Sequence, residues 1–278
     1  MKTNYVFRMF LMALMVAVVS SCRKEKDTDI LVSNSEDDAE VSAIFNEVDD
    51  EVGGISTLKS MEAGLSGYDS SGSKVVTIDS SGNQTIITVT YNNYCNGRNL
   101  RIKNGKIIIT IEGRYADVAS AYRKEVTFQN FTINGNLIEG TRVIAKDSAN
   151  PYVYHITLQN GKITFTDGTS CTRTVETRTR TWTGGYNTPN FLWDDTYTIE
   201  GTASGVNRQG KSYTHTITTP LQISLDCPWI KAGVIRFEVT DDKGTREATL
   251  DYGTGACDNI GTVTIEGKTY TIRLRGGK

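Results

Sequence analysis

From Lys74 to Leu274 the chain repeats one local pattern. A run rich in Thr, Val, Ile and Tyr is followed by a short turn containing Gly, and the next run begins at once. Val75–Asp79 and Thr85–Tyr91 flank Ser80-Ser81-Gly82-Asn83. Leu100–Lys103 and Ile107–Gly113 flank Asn104-Gly105, and Lys124–Ile133 and Leu137–Ala145 flank Asn134-Gly135. Tyr152–Leu158 and Lys162–Thr166 flank Asn160-Gly161, and Asp194–Ser204 and Lys211–Ile217 are joined across Asn207–Gly210. Gly233–Val239 pairs with Thr245–Tyr252, and Thr262–Glu266 with Thr269–Leu274. Residues that favour a pleated surface, punctuated by turn residues at this spacing, predict hairpin after hairpin. The segments between runs are too short for crossover helices, so βαβ units are excluded. The expected fold is mainly β: an antiparallel β-meander forming an open, twisted sheet or a partial barrel.

One segment ahead of the sheet has a different period. Val41, Ile44, Phe45 and Val48 recur at i, i+3, i+4 and i+7, one face of a helix. Ser35 stands before Glu36-Asp37-Asp38, a cap followed by acids in the first turn, and Gly53-Gly54 supplies a stop. An amphipathic helix over Glu36–Val52 is predicted, packed on the sheet or capping its open end. Asp49-Asp50-Glu51 reads as a solvated helix end, because a Ca²⁺ loop needs oxygen ligands at alternating positions. The expected organisation is a removable leader over 1–21, a polar disordered tether over 22–35, helix and loop over 36–73, and the β domain over 74–275.

The leader is legible residue by residue. Lys2 and Arg8 make a basic start, Met9–Val19 an apolar core too short for a comfortable membrane span, and Ser20-Ser21 a small-residue site before Cys22. This stretch resembles the lipobox of bacterial lipoproteins. The resemblance implies cleavage before Cys22, diacylglycerol on its thiol and acylation of the new amine, palmitate being a typical chain. Several acyl chains hold a protein far more firmly than one, since burial contributes ~0.8 kcal/mol per CH₂. Arg23, rather than Asp, follows Cys22. That resembles outer-membrane sorting, with the cell surface and the periplasmic face both open. The expected partner is therefore a membrane, held through the N-terminal lipid.

Charge and motifs narrow the function by exclusion. The chain has 30 basic and 32 acidic residues, and removing 1–21 leaves 28 against 32. A mildly acidic chain lacks the basic face of a nucleic-acid binder. It contains no GxSxG, HExxH, P-loop or dinucleotide fingerprint, and no CxxC or Cys/His cluster. No catalytic residue, metal ligand or cofactor is assigned. His215 alternates with Tyr213 and Ile217 and reads as a packed core residue; His155 reads as a strand-surface residue. Beyond Cys22 the cysteines are Cys95, Cys171, Cys227 and Cys257, an even number in a disulfide-permitting compartment. In a meander, Cys227 and Cys257 fall at the same end of the sheet and are expected to pair. Cys95 with Cys171 is then the remaining possible bridge.

One stretch carries a binding hypothesis. Thr172–Tyr186 reads TRTVETRTRTWTGGY. Strict alternation puts Thr172, Thr174, Glu176, Arg178, Arg180 and Trp182 on one face and Arg173, Val175 and three threonines on the other. Neither is an ordinary core face. Arg178, Arg180, Trp182, Tyr186 and Trp193 together could form a binding surface, aromatic rings stacking on sugars and guanidinium groups pairing with anions. The bland alternative is a solvated sheet face with Arg–Glu ladders. The segment from Arg178 through Tyr186, Thr188-Pro189, Trp193, Asp195 and Gly210-Lys211 resembles a family of predicted Bacteroidetes outer-membrane or surface lipoproteins of unknown function. Leu225-Asp226-Cys227-Pro-Trp229 and Leu250-Asp251-Tyr252 with Cys257-Asp258-Asn259 extend the resemblance. It covers roughly residues 75–274 and implies compartment and fold rather than chemistry. The expected function is a membrane-anchored, non-enzymatic binding or structural module that recognises glycan or protein. The alternatives are a carrier of a lipid or apolar ligand in a curved-sheet cavity and, third, an unrecognised hydrolase.

Overall fold

A computed structural model describes residues 28–53, 70–80, 84–96, 101–112, 122–188 and 191–274. The leader, Cys22 and most of the loop over 54–73 lie outside the described residues. One helix, α1 (28–53), precedes thirteen strands. They are β1 (Ser71–Asp79), β2 (Gln84–Cys95), β3 (Lys103–Glu112), β4 (Arg123–Ile133), β5 (Asn136–Lys146), β6 (Val153–Thr164) and β7 (Ser170–Gly184). Then come β8 (Thr196–Val206), β9 (Ser212–Ser224), β10 (Ala232–Asp241), β11 (Gly244–Thr254), β12 (Ile260–Ile265) and β13 (Lys268–Arg273). Each strand pairs antiparallel with its neighbours in sequence, so the sheet order is the chain order. The meander read from the turns is the fold observed. The sheet is open, and with an odd number of strands its two edges, β1 and β13, run in the same direction.

The sheet curls around α1. No residue of the helix from 31 to 53 is exposed, a burial that an amphipathic helix lying on a flat sheet would not reach. Leu31, Val41, Ile44, Phe45, Val48 and Val52 join a core built from the inward residues of almost every strand, including Val89, Ile107, Leu158, Phe237 and Val263. The helix crosses the strands obliquely. Asn207, in the turn after β8, donates from Nδ2 to Asn34 Oδ1 at 3.1 Å near the start of α1. Lys103 and Lys74, toward the same end of the sheet, reach Glu51 near its finish at 2.8 and 2.5 Å. That is about 25 Å farther along the axis at 1.5 Å per residue. Twist and stagger between successive strands account for the climb.

Two expectations about boundaries are corrected. The helix begins at 28, so 28–35 is helical rather than tether, and Ser35 is not a cap. Its hydroxyl donates to Leu31 O one turn back, at 2.9 Å. Two Asn-Gly pairs are not hairpin turns. Asn104-Gly105 lies inside β3, where the register with β4 slips between Asn104 and Lys106. Gly105 has φ +86°, and a Cβ there would sit 2.0 Å from Asn130 O, so glycine permits a bulge at this close approach. Asn160-Gly161 likewise lies within β6, with Asn160 at φ +53°, and the turn falls at 165–169 instead.

Cys227 and Cys257 are disulfide-bonded, tying the β9–β10 connection to the β11–β12 connection. The possible Cys95–Cys171 bridge is absent: both are buried free thiols. Cys95 ends β2 and Cys171 lies in β7, with four strands between them at ~4.8 Å spacing, beyond the reach of a disulfide.

Candidate functional site

The arginine-rich strand faces the helix. In β7, Cys171, Arg173, Glu176, Arg178 and Arg180 are buried, while Thr174, Val175 and Thr177 are exposed. Strict alternation cannot place Arg173 and Glu176 on one face. A bulge does so, because the register with β8 slips between Arg173 and Val175, opposite Gly205 and Ser204. Gly205 makes room: a Cβ there would lie 1.9 Å from Thr172 O. Arg173, assigned by sequence to the opposite face, thus joins Glu176, Arg178 and Arg180.

These residues meet a polar stripe on α1. Asp38, Ser42, Asn46 and Asp49 recur at i, i+4, i+8 and i+11, beside the apolar stripe. Arg142 of β5 grips Asp49 with two hydrogen bonds, at 2.5 and 2.6 Å, and reaches Glu176 Oε1 at 2.8 Å. Arg173 donates to Glu176 Oε2 at 2.7 Å and to Asp38 Oδ1 at 2.6 Å. Arg178 lies 3.1 Å from Glu176 Oε2 and donates to Asn46 Oδ1 and Ser42 Oγ, each at 3.2 Å. Three arginines therefore face Asp38, Asp49 and Glu176, a balanced set with side chains almost wholly removed from water. Burial alone would raise the Glu176 carboxyl, but Arg178, Arg142 and Arg173 hold it far below the usual carboxylate range. Burial likewise opposes ionisation of Asp38, yet His215 and Arg173 outweigh it and bring the pKa to about 2. His215 Nδ1 stands 2.8 Å from Asp38 Oδ1 in the interior, the packed histidine expected, while His155 pairs with Asp147 at the surface. Asp49-Asp50-Glu51 is not a solvated end. Asp49 and Glu51 are buried, held by Arg142 and by Lys103 with Lys74.

Arg178 is therefore withdrawn from any external ligand. Arg180 and Trp182, farther along β7, line a cavity with about 60 Å³ of free interior beside the C-terminal end of α1. Asp50 of α1, Lys124 of β4, Tyr154 of β6, Asp195 and Tyr197 share the lining. Arg180 donates to Asp50 Oδ1 at 2.5 Å, and its guanidinium stacks 3.7 Å from the Tyr197 ring centroid. Tyr197 donates to Asp195 Oδ2 at 3.2 Å. Trp182 lies nearly parallel to Tyr197, centroids 6.1 Å apart. Tyr186 packs edge-on against Trp182 at 6.2 Å and tilted against Tyr152 at 4.9 Å, and Tyr152 and Tyr186 form an exposed aromatic rim. Trp193 is half-buried in the loop before β8 and is not among the cavity's lining residues.

The cavity has unusual ionisation. Burial lowers Lys124 to about 7, with Asp49 opposing and Arg180 adding to the shift. Burial raises Asp50 to about 6, outweighing its pairing with Arg180 and reinforced by Asp49 and Glu47. Both groups can thus exchange donor and acceptor roles near neutrality. With about 60 Å³ the cavity has room for a water or two rather than a sugar ring, so a larger ligand would meet the molecule at the aromatic rim of Tyr152 and Tyr186. Among the described residues no cluster of three or more His, Cys, Asp or Glu can hold a metal.

Lys124, Asp50 and Tyr197 were missed from sequence because they come from three elements whose juxtaposition depends on α1 entering the sheet. The polar stripe on α1 was a readable signal, since small polar residues at helical spacing beside an apolar stripe mark a second buried face. Comparison with known protein families, with curated proteins and with solved structures returned no match to this chain.

Proposed function

We propose that this chain is a non-enzymatic envelope lipoprotein, anchored through a lipid on Cys22, whose domain recognises a glycan at the exposed rim of Tyr152 and Tyr186 beside Trp182. The observation that carries the reading is the exposed rim where Tyr152 and Tyr186 pack against each other and against Trp182. An aromatic face covers the apolar C–H side of a sugar ring and leaves its hydroxyls to polar neighbours and water. The lipid-carrier alternative fits less well, because α1 and its ion pairs occupy the space between the inner faces of the strands. The anchor rests on the sequence around Cys22. The domain would stand on either face of the outer membrane.

In a glycan-array screen followed by calorimetry, Trp182→Ala is expected to weaken binding by at least tenfold while Trp193→Ala leaves it intact. Labelled palmitate is expected to enter the wild-type protein in cells and not Cys22→Ser. Absence of any glycan retained by wild type but lost in Trp182→Ala would remove the binding reading. Palmitate labelling of Cys22→Ser equal to wild type would remove the anchor.

A further inference from the structure

The sheet leaves two edges, and they are built differently. β13 is short, six residues, opens with Lys268, closes with Arg273 and carries no large exposed apolar side chain. Short, cationic edges resist pairing with other chains. β1 has nine residues and hydrogen-bonds only to β2. Val75, Val76 and Ile78 are 52%, 42% and 61% exposed. Lys74 turns inward to Glu51, so alternation puts Val76 and Ile78 on the inner face and Val75 and Thr77 on the outer. The inner face of this edge is therefore apolar, Ser73, Val75, Thr77 and Asp79 make a mixed outer face, and the outermost row of backbone groups lacks a strand partner among the described residues.

We propose that β1 is a self-association surface, pairing antiparallel with β1 of a second copy around a two-fold axis near Thr77. Strand direction favours this occupant. Because β1 and β13 run the same way, stacking copies head to tail would pair β1 parallel with β13, a weaker ladder that never closes. Two β1 strands related by a two-fold axis are antiparallel and close at two copies. With Thr77 opposite its own counterpart, inner face meets inner face and Val76 lies against Ile78 of the second copy, twice. Charge favours the antiparallel pairing. Lys74 is turned inward to Glu51, and a two-fold axis at Thr77 sets Asp79 opposite Val75 of the second copy, whereas parallel, in-register copies would set Asp79 against Asp79. An edge of about 30 Å buries less than the ~1,000 Å² of a stable interface, so the dimer is reversible and concentration-dependent.

Sedimentation of the full chain across a concentration series, with Val76→Lys/Ile78→Lys and Thr77→Cys variants, tests the proposal. The expected result is a twofold rise in mass with concentration for wild type, lost in the double-lysine variant at unchanged circular dichroism. Thr77→Cys is expected to give, under mild oxidation, a covalent dimer mapped by mass spectrometry to a 77–77 linkage. A wild type that stays monomeric across the series, or a Thr77→Cys variant that gives no 77–77 linkage, would overturn the proposal. So would a dimer indifferent to both variants, and so would polymers that grow without limit, the signature of β1 pairing with β13.

Discussion

Glu176→Ala is expected to lower stability by about 3–5 kcal/mol, the cost of removing one partner from a buried charge set. Glu176 stands among Arg142, Arg173 and Arg178, all within 3.1 Å of its two oxygens and all almost wholly buried. Without it three guanidinium groups remain to be neutralised by Asp38 and Asp49. Domains of this kind have about 5–15 kcal/mol in all, so the variant falls near the threshold of folding. Glu176→Gln keeps the shape and one acceptor and should lose less. Glu200→Ala, on an exposed position of the neighbouring strand, should change stability by no more than about 0.5 kcal/mol. Urea midpoints for the three variants check the ranking. Equal midpoints for Glu176→Ala and Glu200→Ala would show that the interior charges do not hold the helix.

Acid is expected to have the second large effect. Asp38 and Glu51 have pKa values of about 2 in the folded protein, against ordinary values of 3.8 and 4.5, and Glu176 is held low as well. In Glu51, burial opposes ionisation and Lys103 with Lys74 overcomes it. As pH falls, the unfolded chain takes up these protons first. Their contribution is complete above about pH 4.5 and is lost between there and about pH 2. At ~1.4 kcal/mol per pKa unit, Asp38 and Glu51 contribute roughly 2–4 kcal/mol each. Two groups act at milder pH with opposite signs. His215, lowered by burial against the pull of Asp38, destabilises the fold as the unfolded chain protonates below about 6.5. Asp50, raised to about 6, binds its proton earlier when folded and so stabilises between about 6 and 4. The urea midpoint should therefore change little from pH 7 to 5 and drop steeply from 4.5 to 3. An unchanged midpoint at pH 3 would contradict the ion-pair assignment.

The hairpin order was legible because each strand runs to its neighbour through a turn whose chemistry is local. Asn134-Gly135 makes the turn its residues suggest. Asn104-Gly105 does not, since a left-handed glycine serves a bulge as well as a turn, and close approach to Asn130 decides between them. The same limit hid the site. Alternation through Thr172–Tyr186 correctly grouped Glu176, Arg178, Arg180 and Trp182, but one extra residue at the β7 bulge brought in Arg173. The reading of that face as a solvated surface or a ligand platform failed for Arg178. Besides Glu176 on its own strand, its partners are Ser42 and Asn46 of α1, more than 120 residues earlier, and only the curl of the sheet brings them together. Asp49-Asp50-Glu51 was misread for the same reason: acids next to Gly53-Gly54 look like a frayed end unless the cations that cover them are known.

The central claim is that α1 is an internal element, locked inside the curled sheet by its charged stripe and its apolar stripe together. Hydrogen–deuterium exchange on the whole chain tests it most directly. Amides over 34–52 are expected to exchange as slowly as those of β7, through the same global opening, and to lose that protection together with β7 in Glu176→Ala. Rapid exchange of 34–52 alongside a protected β7 would place the helix outside the cooperative fold and contradict the account.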